Sequence, residues 1–212
     1  MTDAAAVAAA YVALGVKGLN FGAAGNVSCR RGEGMLITPT GARADSLTPD
    51  KIVACALDGT VEAGGRPSSE WEMHAEIYRA YPAAQAVVHT HSDACVALSA
   101  LRRTLPPFHY MIAAFGGSDV RCADYGTFGT PGLAHAAVAA LDGRKACLLA
   151  NHGMICHGAT LEAAVGFAER LEVLSRQYLL ALNVGTPALL TDEEMAEVHA
   201  RYRALSYDTM KK

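Results

Sequence analysis

Residues 86–91, Ala-Val-Val-His-Thr-His, deliver two imidazoles one residue apart. The apolar run ahead of them favours an extended strand, on which side chains two apart share a face at a spacing of about 6.5–7 Å. His89 and His91 could therefore bind one metal ion. A second run of the same kind, residues 146–153, Ala-Cys-Leu-Leu-Ala-Asn-His-Gly, carries His152 at the end of a buried strand. A lone histidine at a strand end is usually a satisfied core residue, and the pairing of His-x-His with Asn-His-Gly is what points to a metal. Three neutral imidazoles with one or two open positions describe a catalytic zinc site. A structural zinc would need a fourth ligand to close the shell, and neither a cysteine nor a further histidine stands at that spacing.

Glu70 follows two serines, Ser68 and Ser69, at a helix start, and that helix leads directly into the His-x-His strand. A carboxylate there can ligate the metal at rest or serve as general base once substrate displaces it. His74, four residues on, forms a rival Glu-His pair on one helix face, ranked lower because three better-placed imidazoles already exist. Three small-residue segments have the makings of an anion site: residues 22–26, residues 38–41, and the two serines. Glycines let backbone N–H groups approach a phosphate, hydroxyl and amide side chains add donors, and a helix start adds a favourable dipole. Without a Walker or dinucleotide fingerprint, these loops indicate a small phosphorylated ligand.

The elements that must position these groups follow from the pattern of the chain. Thr2 can cap a first helix over residues 4–15. A strand leaving the first glycine loop, a second over 35–38 and a third over 52–57 make the early part antiparallel β, with turns at Gly32–Gly34 and Asp58-Gly59. Ser69 and Glu72 have capping-box spacing for a helix running to Tyr81 before Pro82. Helices are expected over 92–101, 131–141 and 160–182, and Thr191 with Glu194 opens a last one ending near Leu205. Residues 108–114 fit either helix or strand, 119–122 form a short strand, and 154–156 extend the second histidine strand past Gly153. The expected architecture is one mixed sheet flanked by helices, in a single domain spanning residues 1–212.

Composition narrows the functional classes. The chain has 212 residues, 51% of them hydrophobic, and a formal charge of −3, which suits a globular core. No Lys/Arg cluster could track a phosphate backbone, so nucleic acid is not an expected partner. No run reaches the about 18 apolar residues of a membrane span, and Asp3 without a basic region argues against a leader. The six cysteines (Cys29, Cys55, Cys95, Cys122, Cys147, Cys156) are scattered without a Cys-x-x-Cys pair, which points to a reducing, cytoplasmic setting.

The series Gly25-Asn26-Val27-Ser28, Ile37-Thr38-Pro39-Thr40-Gly41, Pro67-Ser68-Ser69-Glu70-Trp71, Val87-Val88-His89-Thr90-His91, residues 109–114, Thr127-Phe128-Gly129 and Asn151-His152-Gly153 resembles the class II aldolase and adducin head family, in order and across nearly the whole chain. The resemblance implies a three-layer α/β/α sandwich with a mostly antiparallel central sheet, a homotetramer with active sites between subunits, and one zinc per subunit. By the same resemblance His89, His91 and His152 are the zinc ligands, Glu70 is the catalytic acid/base, and Asn26, Thr40, Gly41, Ser68 and Ser69 hold the phosphate of a ketose 1-phosphate. Tyr110 would enter from a neighbouring subunit to handle the C4 hydroxyl proton. The implied reaction is reversible cleavage to dihydroxyacetone phosphate and an aldehyde. The family also holds sugar-phosphate 4-epimerases, sugar-acid decarboxylases and the non-enzymatic adducin head. Glu70 followed by Trp71 favours aldol cleavage over epimerisation, and the intact histidines argue against an adducin-like binding module. Two positions depart from the ketose-1-phosphate-cleaving members: Ala23 replaces a threonine of the first glycine loop, and Leu205 falls where a tyrosine approaches the aldehyde, with Tyr207 close by. Ala23 removes one hydroxyl donor to phosphate, and the altered tail points to a relaxed or altered aldehyde pocket, one that suits 5-deoxypentulose 1-phosphates or their methylthio analogues.

Overall fold

A computed structural model describes residues 3–62 and 64–205. The expected cap at Thr2 and the neighbouring Tyr207 lie outside the described residues. One seven-stranded sheet runs through the molecule. Its strands are β1 (Asn26–Arg31), β2 (Gly34–Ile37), β3 (Val53–Ala56), β4 (Ala86–Thr90), β5 (Cys122–Ala123), β6 (Ala146–Leu149) and β7 (Gly153–Gly158). Their spatial order is β3-β2-β1-β4-β7-β6-β5, so the first histidine strand is central. Pairing is antiparallel from β3 across to β6 and parallel only between β6 and β5. The sheet is therefore mixed, antiparallel in five of its six pairings and parallel at the β5 edge, where the chain must cross over through a helix to return in parallel.

Among the described residues six α-helices flank the sheet: α1 (Asp3–Val16), α2 (Trp71–Ala80), α3 (Asp93–Ser99), α4 (Pro131–Ala140), α5 (Leu161–Val184) and α6 (Asp192–Ala204). Strand alternation divides the core between the two faces of the sheet. Ala86, Val88, Val27 and Leu148 pack with Tyr11 and Leu14 of α1, Leu98 of α3 and Leu171 of α5. Val87, Ile37, Cys147 and Ile155 pack with Ile77 and Tyr78 of α2 and Leu133 and Ala137 of α4. The result is the three-layer α/β/α arrangement. Strands β4 and β6 are buried at every position, because helices cover both faces there.

Three local readings change. Residues 110–115 form a 3-10 turn, with the His109 side chain accepting from the Met111 N–H. Residues 153–158 do not extend β6 but fold back against it, with Leu149 opposite Gly153, so His152 sits in a hairpin turn rather than at a strand end. The Ser69 capping box does not form: Glu70 is the N-cap residue and makes no side-chain cap bond. Its carboxylate turns inward instead. The Thr191 capping box forms as expected, with Thr191 accepting from the Glu194 N–H and the Glu194 carboxylate accepting from the Thr191 N–H.

Candidate active site

Each histidine reaches the same point from a different piece of the sheet. Alternation along β4 puts His89 on the α2 side, beside Val87. His91 lies just beyond the strand end, where its backbone N–H donates to Asn20 Oδ1 at 3.1 Å. His152 arrives from the β6–β7 hairpin, whose β7 limb pairs with β4 so that Thr90 stands opposite Met154. The three rings meet edge to face, with centroids 4.7 to 4.8 Å apart. Glu70 comes over from the N-terminus of α2, and its carboxylate together with the three imidazoles offers four ligand atoms within 4.8 Å of one another.

The donor set fits a cation. His89 Nδ1 lies 2.7 Å from the Met154 carbonyl, so it carries the proton and Nε2 presents a lone pair in the neutral ring. That lone pair faces His91 Nε2 at 2.9 Å and Glu70 Oε2 at 3.2 Å. Glu70 Oε1 lies 3.3 Å from His152 Nε2 and is buried with no hydrogen-bond partner. Acceptors so crowded repel one another unless positive charge lies among them. A borderline metal such as zinc, which takes imidazole nitrogen and carboxylate oxygen, meets that need.

The electrostatics agree. Burial, followed by the neighbouring His89, pushes His91 down to about 3 and His152 down to about 4, so both imidazoles are neutral and available as ligands. Burial works against the Glu70 charge, yet the His89 and His152 rings and the Asn26 amide outweigh it and hold the carboxyl well below its ordinary range. His89 shows the converse: burial lowers it, and the Glu70 carboxylate more than restores it, leaving it raised, so the point between His89 Nε2 and Glu70 favours positive charge.

A cavity of about 320 Å³ opens onto Glu70, His91 and His152 and is also lined by Asn26, Thr40, Gly41, Ser68 and Ser69. All five expected phosphate-loop residues therefore share one cavity with the histidine cluster. Ser68 is fixed at both ends, its N–H donating to the Thr38 carbonyl at 3.0 Å and its Oγ accepting from the Glu70 N–H at 3.3 Å. Ala23 also lines this cavity. Tyr110 does not: it is half exposed and borders a separate depression with Met111, Arg170 and Val173.

The outer wall had no assigned role in the sequence, although Phe128 and Asn151 stand within motifs that carry the family resemblance. Tyr125, Phe128 and Asn151 line the cavity, and the two aromatics are 58% and 66% exposed, far more than aromatic side chains in a core. The signal available was a pair of aromatics in a glycine-containing loop before the Thr130 cap of α4. That loop is pressed onto the serine segment, since a β-carbon at Gly129 (φ 69°) would lie 2.9 Å from the Ser69 carbonyl oxygen.

Comparison with known proteins places this geometry in a family. The class II aldolase and adducin N-terminal domain family matches residues 5–179. The 5-methylthioribulose-1-phosphate/5-deoxyribulose-1-phosphate aldolase of Rhodospirillum rubrum is 46% identical over 186 residues, covering 88% of this chain and 84% of the relative. The L-fuculose phosphate aldolase of Escherichia coli K12 is 47% identical over 187 residues, covering 88% and 87%. Among solved structures, an L-fuculose 1-phosphate aldolase superposes with a TM-score of 0.91 at 36% identity, covering 95% of this chain and 96% of that one. A family match over most of the chain, two aldolase relatives above two-fifths identity and a shared fold converge: the chain belongs to the class II aldolase and adducin N-terminal domain family, and within it is a class II aldolase, a lyase.

Proposed function

We propose that this protein is a zinc-dependent aldolase that reversibly cleaves a ketose 1-phosphate to dihydroxyacetone phosphate and an aldehyde. The ketose is a 5-deoxypentulose 1-phosphate, its methylthio analogue, or L-fuculose 1-phosphate. The observation that carries this reading is the unpartnered, buried Oε1 of Glu70 set among three imidazoles at the floor of a cavity rimmed by Asn26, Thr40, Gly41, Ser68 and Ser69. The relatives named above are aldolases of 5-methylthioribulose 1-phosphate and 5-deoxyribulose 1-phosphate in one case and of L-fuculose phosphate in the other.

In this reading His89, His91 and His152 hold one zinc per subunit, which supplies a Lewis acid to polarise the ketose carbonyl and ease loss of the C3–C4 bond. The Asn26 and serine side chains and the backbone of the Thr40-Gly41 turn bind the phosphate, which anchors the substrate relative to Glu70. Cleavage removes the proton from the C4 hydroxyl and leaves an electron pair at C3. Glu70, which rests ionised, takes up a proton from solvent and delivers it to C3, completing dihydroxyacetone phosphate, and removes that proton again in the synthetic direction. The partner subunit's Tyr110 handles the C4 hydroxyl proton. Its exposure, and its position outside the cavity of its own chain, support a contribution across a subunit interface, within the cytoplasmic homotetramer that the family resemblance implies. Ala23 leaves one hydroxyl fewer at the phosphate loop, a loss of about 1 kcal/mol in binding.

The deciding experiment is a coupled assay for dihydroxyacetone phosphate on zinc-loaded protein. L-Fuculose 1-phosphate, 5-deoxyribulose 1-phosphate and ribulose 5-phosphate are run in parallel with a chelated control. Chelator-sensitive release from either ketose 1-phosphate is the expected result, and the ratio of the two rates reports the aldehyde preference. Absence of release, with ribulose 5-phosphate epimerised instead, would overturn the aldolase assignment.

A further inference from the structure

Glu70, His74 and Tyr78 recur every fourth residue at and along α2, one above another on a single helix face. Opposite them Asn26 and Ser28 occupy alternate positions of β1, on the sheet face that looks toward α2. All five side chains are buried, and they join in one chain. Tyr78 Oη and Ser28 Oγ are 2.8 Å apart, Ser28 Oγ and His74 Nδ1 2.7 Å, His74 Nε2 and Asn26 Oδ1 2.5 Å, and Asn26 Nδ2 and Glu70 Oε2 2.9 Å.

An ionised Glu70 can only accept, so Asn26 must present its amide nitrogen to Oε2 and its carbonyl oxygen to His74. His74 must then carry its proton on Nε2 and accept at Nδ1 from the Ser28 hydroxyl. Ser28, having donated, accepts from the Tyr78 hydroxyl. Every donor in the chain has one direction. Burial, aided by the nearby His89, holds His74 down at about 3, which keeps the ring neutral as this pattern requires. Both ring nitrogens are occupied, which removes His74 as a rival metal ligand.

We infer that His74 is a positioning residue for Glu70, orienting the Asn26 amide so that it grips Oε2 and leaves Oε1 turned toward His152. Ser28 and Tyr78 set the tautomer that makes this possible. The inference rests on Glu70 acting in the proposed reaction, and the control it adds lies behind the cavity, out of reach of substrate.

The test combines ring spectroscopy with kinetics on the zinc-loaded full chain. Nitrogen-15 NMR, with the His74 signals identified by their loss in His74→Gln, is expected to show a bare Nδ1 and a protonated Nε2. His74→Phe should lower kcat by about 10- to 100-fold, with bound zinc little changed. His74→Gln, whose amide N–H can replace the Nε2 donor, should restore most of that loss. Should His74→Phe fail to fold, Ser28→Ala decides the matter: the inference requires a mixed tautomer at His74 and a lowered kcat. A wild-type ring protonated on Nδ1, or a folded His74→Phe with undiminished kcat, would overturn it. An Nε2-protonated ring in a protein with no aldolase turnover would uphold the positioning chain while refuting the proposed reaction.

Discussion

A β-carbon placed on Gly153 would lie 2.4 Å from the Thr90 carbonyl oxygen and 3.4 Å from the His91 ring. The β6–β7 hairpin can therefore bring His152 against His91 only because residue 153 has no side chain. Gly153→Ala should force β7 away from β4 at the site, destabilising the fold by about 1–3 kcal/mol and weakening metal binding along with it. Urea unfolding and metal titration of this variant check both effects. Unchanged metal affinity would mean that the close approach is not what assembles the histidines.

Much of this was legible in the sequence because it is local. The Thr191 capping box, the Thr160 cap of α5 and the apolar runs of β4 and β6 are set by spacing within a few residues, and each appears where expected. What escaped was set by distant partners. Ser69 and Glu72 had the spacing of a cap, but Glu70 takes the N-cap position because its carboxylate is held by Asn26 across the sheet interface. The reversal at His152 depends on Asn151 at φ 55°, with its Oδ1 accepting from Arg102 Nε at 2.7 Å, a partner 49 residues away. Tyr125 and Phe128 look like loop aromatics until folding presses their loop onto Ser69.

Removing one imidazole should empty the site. His91→Ala leaves two nitrogens and a carboxylate, one donor short of the three-histidine set, and chelator-resistant metal should fall to a small fraction of the wild-type content, with turnover lost alongside it. Metal analysis after dialysis, paired with the coupled assay, checks this. Glu70→Gln should behave differently, retaining metal while exchange of the dihydroxyacetone phosphate C3 proton slows by about 100-fold or more. Undiminished exchange would remove Glu70 from proton transfer.

Glu172 offers a purely architectural contrast. Its buried carboxylate accepts from the Ala94 N–H at 3.1 Å and the Cys95 N–H at 3.0 Å, at the start of α3, and pairs with Arg176 at 2.9 Å. It lines no part of the active cavity. Glu172→Ala strands two buried N–H groups, so stability should fall by about 2–5 kcal/mol while kcat of the folded fraction stays within about twofold. Equilibrium unfolding and specific activity per folded molecule separate the two.

Acid should weaken the fold through His74 in a way a single substitution exposes. Burial first, then His89, depresses this imidazole from its ordinary value of 6.5 to about 3. Below pH 6.5 the unfolded chain takes up a proton at this position and the folded chain does not. Its contribution to stability is therefore complete above pH 6.5 and lost progressively between 6.5 and about 3, with stability falling by about 1.4 kcal/mol per pH unit. Other groups add slopes of their own: His91 and His152 share the direction, and His89, raised by Glu70, opposes it. Comparing wild type with His74→Gln on chelator-treated protein isolates the His74 share. Between pH 6 and pH 5 the wild-type unfolding free energy should fall more steeply than that of the variant by about 1.2 kcal/mol. Parallel slopes would mean that His74 is protonated in the folded protein over that range, which the direction of its hydrogen bonds to Ser28 and Asn26 forbids.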